Sequence, residues 1–330
     1  MNQLPQGQHA GGSTRDKLVA YPFSQMSGAH RSPTTLVALG VHSQIFMAIS
    51  AAALMCSSAH VMQVELSPWW YVTAILGTWM IYLLDAARSR EAEDQLSQPA
   101  KASLFRRHPS LGSILPWLAG AVGLFTTWLA DPSIEMVCLL IGLGIAGLAY
   151  VLPILPLGNQ GGDNPNQTPT PRSFRTLKQI AVLKPITICL AWTAGSVLVP
   201  LFADGRPATT MIVDAAWLCG LWFPLLLADT MLLDVRDLEG DQDQGLRTLA
   251  IRIGRRGSHL LVGSCLGVGL LVLLIGESSG MGGSLWLRVG MTGLLGLLAA
   301  WMMWPILKQS EAGIAFGLMG WRFLAAIMSI

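Results

Sequence analysis

Charge is what this chain has least of. Asp, Glu, Lys and Arg supply 12% of its 330 residues, against about 25% in an average soluble domain. So few ionised side chains would not cover a water-soluble globule of this length. Cysteine is scarce as well: the five residues Cys56, Cys138, Cys189, Cys219 and Cys265 all fall inside apolar runs and show no CxxC spacing. That excludes a disulfide framework or a zinc knuckle and predicts buried, unpaired thiols. The six histidines lack metal-ligand spacing, and neither a phosphate-binding glycine loop nor a nucleophile elbow is present. A net charge of +2 without a basic stripe gives nucleic acid nothing to bind.

Long apolar runs are what the sequence has instead. A membrane-spanning helix needs about 20 mostly apolar residues, and nine stretches qualify, near 35–57, 68–88, 111–130, 134–153, 180–202, 211–234, 258–276, 284–305 and 312–330. Runs such as Gly142-Leu-Gly-Ile-Ala-Gly147 would weaken a soluble helix but let helices approach closely in lipid. The expected fold is therefore all-α, a multi-pass membrane helical bundle of about nine transmembrane helices. Residues 1–33 read as a mobile cytoplasmic tail without a cleavable signal, residues 34–330 as the membrane domain, and 158–177 as a flexible loop. With the N-terminus in the cytoplasm, 18 of the 21 Lys and Arg residues lie on the inner side, which predicts that orientation.

The acidic residues are placed just as unevenly. Ten of the 19 carboxylates fall within Asp85–Asp94 and Asp229–Asp243, at the cytoplasmic ends of the second and sixth spans. Asp234, Asp237 and Asp241 are spaced i, i+3, i+7, which puts them on one face of a helix leaving the membrane. Three like charges on one face repel one another unless a cation sits among them. Hard oxygen ligands at this density suit Mg2+, which keeps positions for water and a substrate phosphate. Arg236, Arg247 and Arg252 are suited to the same phosphate, because a guanidinium matches its oxygens in pairs. In the first window Asp85, Ser89 and Glu93 share a face and offer a second metal position. Asp229, about 7.5 Å inside the boundary, is expected to line the site, as an intramembrane carboxylate does by default. Glu91, Asp94, Asp243 and Glu311 read as solvated loop charges, and Trp69, Trp70, Trp301 and Trp304 as an interfacial belt.

Asp234-Val-Arg-Asp-Leu-Glu-Gly-Asp241, followed by Gly245-Leu-Arg-Thr-Leu249 and Gly254, closely resembles the second aspartate motif of the UbiA superfamily of membrane prenyltransferases. Tyr150-Val-Leu-Pro153, then Leu177-Lys178 and Lys184 leading to Trp192 and Gly195, is similar to that family's stretch between its fourth and fifth helices, and Arg31-Ser-Pro33 loosely resembles its opening element. In the family's first motif an Asn or Asp is followed four residues later by Asp; here Ser89 stands at that position, and Glu93 or Glu91 is the available replacement. The resemblance implies an Mg2+-dependent transferase that ionises an isoprenyl diphosphate and passes the prenyl group to a lipophilic, often aromatic, acceptor in the bilayer. It assigns catalysis and metal binding to Asp85, Asp234, Asp237 and Asp241, with Glu93 as a further ligand. Tyr150, Lys184, Arg236, Asp229 and Arg247 would contact substrate. Trp79, Tyr82, Trp192, Trp222 and Phe223 are candidates for steadying the carbocation by their ring faces. Two alternatives stay open: a membrane terpene cyclase of the same superfamily, and a transporter or non-catalytic scaffold using the carboxylates for ion coupling.

Overall fold

The apolar runs become helices. A computed structural model describes residues 44–88, 99–152, 155–156, 174–175, 180, 182–203, 211–243, 248–278, 283–307 and 311–329. The proposed tail and most of the 158–177 loop lie outside these. In chain order the described helices are α1 Ile45–Val61, α2 Pro68–Arg88, α3 Pro99–Arg107, α4 Ser110–Ser113, α5 Leu115–Leu129, α6 Ile134–Val151, α7 Leu183–Ala203, α8 Ile212–Asp243, α9 Leu249–Ser278, α10 Gly283–Met302, α11 Trp304–Leu307 and α12 Glu311–Ser329. A two-residue antiparallel pair, β1 Leu155–Pro156 with β2 Phe174–Arg175, is the extended structure among the described residues. The chain is an all-α membrane-type bundle, as the composition predicts.

Each of the nine apolar stretches coincides with a helix among the described residues, the first over Ile45–Val61. Six helices are long and apolar enough to cross a membrane, while Ile45–Val61 and Leu115–Leu129 are apolar but shorter. The outer surface explains why these helices need lipid: Leu124, Trp128, Leu260 and Ile327 are each more than 60% exposed. A soluble monomer does not turn so many large apolar side chains to water.

Neighbouring helices form a closed circuit. α1 packs on α2, α2 on α6, α6 on α7, α7 on α8, α8 on α9, α9 on α10, α10 on α12 and α12 on α1, with α5 against α2. Hydrogen bonds between helices tie the circuit where side chains are polar: Thr73 to Thr126 at 2.8 Å, and the Trp222 indole to the Ser58 hydroxyl at 2.9 Å. Belt positions are only partly on the outside. Trp69 is exposed, but Trp70 and Trp304 are buried inside the bundle, so their rings serve packing rather than the lipid boundary.

Two local features place the acidic residues. Helix α8 runs 32 residues, about 48 Å at 1.5 Å per residue, against an apolar layer of about 30 Å. The candidate span on this helix ends at Leu238, so its last turn, with Asp241, continues past the span while Asp237 lies at the span's edge. Helix α9 is broken at Gly254, where φ is 70° and ψ is 171°. Glycine alone reaches that backbone region without strain. The break separates the short basic segment after α8 from the span that follows.

Helices α10 and α12 approach closest at Gly296, where a Cβ would stand 2.7 Å from the Trp321 Cβ and 3.1 Å from its Cα. Backbone cannot yield as a side chain can. Gly296→Val is expected to lower stability by about 1–3 kcal/mol, measured as a drop in Tm of the detergent-solubilised protein; an unchanged Tm would show that the two helices do not meet there.

Candidate functional site

Three helices deliver the central residues. Tyr150 ends α6, Lys184 opens α7, and Asp234 lies on α8 where that helix packs on α7. Lys184 Nζ is 2.7 Å from Asp234 Oδ1, with the two side chains only 14% and 3% exposed. A buried ammonium and a buried carboxylate are each costly alone, so the pair holds both in place. The second carboxylate oxygen, Asp234 Oδ2, is buried without a hydrogen-bond partner.

Further groups gather within electrostatic reach. Lys184 senses Tyr150 and Asp241 as well as Asp234. Tyr150 senses Asp85, Tyr82, Lys184 and Asp234. The first acidic window is thus brought to the second through Asp85, even though 149 residues separate Asp85 from Asp234 in sequence. Asp234 and Asp241 are buried on α8 and Asp237 is nearly so, in keeping with the shared face that their spacing predicts. Glu93, Ser89 and Arg247 lie outside the described residues.

Asp237 and Arg236 behave differently from expectation. The Arg236 guanidinium clasps Asp237 with both arms, Nε to Oδ1 at 2.6 Å and the terminal nitrogen to Oδ2 at 2.7 Å. Arg236 also lines a cavity shared with α9 and α10, on a different side from Lys184. Asp237 is therefore held by its own neighbour.

A second ion pair lies one turn deeper, and half of it is missing from the sequence reading. Arg322 on α12 donates to Asp229 on α8, and both are almost completely buried. The same guanidinium donates to the Ser50 hydroxyl of α1 at 3.1 Å and sits 4.2 Å from the Trp192 ring centroid. Tyr82 meets Trp192 edge-on at 6.5 Å and senses Arg322, Asp229 and Asp85. The signal was present, since a lone intramembrane Arg and a lone intramembrane Asp are each expected to seek the other. Tyr82 and Trp192 are thereby the two candidate aromatics that stand beside the charged residues. Trp222 is core, its N–H spent on Ser58, Trp79 packs against Leu83 and Phe105, and Phe223 packs on the main core.

The donor chemistry suits a divalent cation. Asp234 and Asp241 are buried hard-oxygen donors from one helix, and the Asp234 Oδ2 acceptor has no competing donor. Among the described residues no three His, Cys, Asp or Glu side chains are gathered as a ready cage. Mg2+ does not require one, because it is usually held by one or two carboxylates together with substrate phosphates.

Comparison with known proteins follows this geometry. Residues 171–327 match the UbiA prenyltransferase family, a stretch that contains Lys184, the second acidic window and Arg322. The apo structure of a UbiA homolog from Aeropyrum pernix K1 superposes with a TM-score of 0.58 at 11% identity, covering 86% of this chain and 96% of that one. At that identity the likeness is one of fold. No curated protein sequence matches the chain.

The deeper ion pair makes a direct prediction. Removing one member of a buried pair leaves an uncompensated charge, so Asp229→Asn or Arg322→Gln alone should cost about 3–5 kcal/mol. The double variant should lose less than the sum of the two, measured as a double-mutant cycle on thermal unfolding. Strict additivity would mean that the two side chains do not interact.

Proposed function

We propose that this chain, whose residues 171–327 belong to the UbiA prenyltransferase family within a UbiA-type fold, moves an isoprenyl group from a prenyl diphosphate to a lipophilic, often aromatic, acceptor in the bilayer. The observation that carries the reading is the buried Lys184–Asp234 pair with Tyr150, Asp241 and Asp85 in electrostatic reach. Cation and carboxylates stand together at one end of an apolar bundle, which is what a diphosphate with a greasy tail requires. In the proposed orientation that end faces the cytoplasm.

Lys184 is the first contact for the diphosphate. Its ammonium is held inside by Asp234, and an arriving phosphate oxygen offers it a second anionic partner. As Lys184 turns to the phosphate, both oxygens of Asp234 become available to metal. Asp234, Asp241 and Asp85 would hold Mg2+, with Asp237 joining when Arg236 releases it and Glu93 as a further ligand; bound there, Mg2+ supplies Lewis-acid neutralisation of the leaving diphosphate. The Tyr150 hydroxyl donates to the same oxygens.

The allylic C–O bond then breaks heterolytically, with its electron pair leaving on pyrophosphate. Buried helices exclude water from the cation, which would otherwise quench it. Tyr82 and Trp192 lie one turn further in and present ring surface to positive charge. Arg322 adds no net repulsion there, because Asp229 neutralises it. The acceptor carbon bonds to the terminal prenyl carbon and releases a proton, closing the balance.

The test is incubation of purified protein with Mg2+ and prenyl diphosphates of several lengths, with and without aromatic acceptors, products being identified by mass. Asp234→Ala and Lys184→Ala should each lower transfer by about 100-fold or more, and Asp237→Ala should also lose activity. A folded Asp234→Ala protein with unchanged turnover would remove these residues from the reaction. A cyclic hydrocarbon formed without acceptor would replace transfer by cyclisation, and failure to bind either Mg2+ or diphosphate would leave a transporter or scaffold.

A further inference from the structure

A cavity of about 390 Å³ lies away from the Lys184 site, between the ends of three spans. Val235 and Arg236 come from the end of α8, Arg255 and His259 from the first turns of α9, and Trp301 from the end of α10, with Trp304 and Pro305 of α11 closing it. These positions mark a boundary between polar and apolar surroundings, because each contributing span stops or starts there. The wall is divided accordingly. Two guanidiniums and an imidazole form one side, and Met302, 74% exposed, forms an apolar rim with Pro305 on the other.

The basic side is built rather than incidental. The Trp301 indole N–H donates to His259 Nδ1 at 3.0 Å, and the two rings stack with an interplanar angle of 27°. An Nδ1 that accepts leaves the neutral imidazole with its proton on Nε2, so the ring is presented as a donor. Arg236 is oriented by its clasp on Asp237. Ordinary positive-inside bias would put such residues anywhere on the loops. Here two helices converge them on one cleft beside two indoles.

We propose that this cleft binds a phosphate-type anion, and its apolar rim points to the headgroup of an acidic phospholipid as the source. The Arg255 guanidinium is of the kind that matches phosphate oxygens in pairs, Arg236 adds charge beside it while its own fork holds Asp237, and basic pockets between transmembrane helices take acidic headgroups. Trp301 and the buried Trp304 line the cleft between its basic side and Met302, whose exposed side chain is placed to meet acyl chains. Neither Lys184 nor Asp234 lines the cleft, so the proposal does not rest on the function proposed for that pair, and Arg236 is the one residue that the two readings share.

The experiment uses the full chain, delipidated in detergent, with dioleoyl phosphatidylglycerol or dioleoyl phosphatidylcholine added at equal concentration and bound lipid counted by native mass spectrometry. Phosphatidylglycerol should be retained at least about ten-fold more than phosphatidylcholine. Arg255→Gln and His259→Gln should each reduce that retention several-fold, Arg255→Lys should largely preserve it, and Asp234→Ala should leave it unchanged. A third arm adds sodium phosphate. Displacement of phosphatidylglycerol by millimolar phosphate, dependent on Arg255, would keep the anion site and reassign its source to a soluble phosphate. Equal retention of the two lipids by the wild-type protein, which needs no variant to fold, would overturn the proposal. So would loss-free retention in both folded variants.

Discussion

Inside a bundle walled by lipid there is no water to take up a charge, so each ionised side chain has to meet its opposite within the protein. That constraint organises this molecule. Asp229 and Arg322 satisfy each other across α8 and α12, and Ser50 and Trp192 draw α1 and α7 to the same guanidinium. Lys184 and Asp234 satisfy each other across α7 and α8. Four of the helices in the closed circuit are thus registered by two ion pairs, and the apolar packing between them has only to be compatible with that register.

The same constraint distinguishes the two pairs. Arg322 meets a carboxylate, a hydroxyl and a ring face from three other helices, an arrangement that favours permanence even though its Nε and Asp229 Oδ1 are left without a hydrogen-bond partner. Lys184 is a point charge on a flexible stem. An ammonium can transfer its allegiance to a phosphate without the geometric loss that a forked guanidinium would suffer. The shallower pair is therefore the better suited to exchange and the deeper pair to permanence, which in the proposed function puts the chemistry at the end of the bundle and the scaffold one turn below.

Much of this was legible in the sequence. Apolar length located the helices, and the i, i+3, i+7 spacing put Asp234, Asp237 and Asp241 on one helix. The resemblance to the UbiA superfamily picked out Tyr150 and Lys184, which the fold brings to Asp234 and Asp85. Other features were hidden for definite reasons. Adjacent residues do not ordinarily face each other on a helix, so the grip of Arg236 on Asp237 has no signature in spacing. Arg322 and Asp229 are 93 residues apart, and although each lone intramembrane charge calls for a partner, spacing does not say which residue it is. Trp70 and Trp304 sit at helix ends, where an exposed ring and a buried one have the same sequence; which neighbour covers them is decided by tertiary packing alone.

The fixed pair also bears on how the chain is made. An arginine in the middle of a single helix costs about 2.5–3.5 kcal/mol on entry into a bilayer, and α12 is only 19 residues long. Alone, that segment would have little reason to stay in the membrane. Its counter-charge on α8 is synthesised well before it, so α12 enters a bundle that already holds a place for its arginine. Insertion of α12 and formation of this ion pair are on this view one event, with the carboxylate of Asp229 acting as the receptor for the arginine of α12.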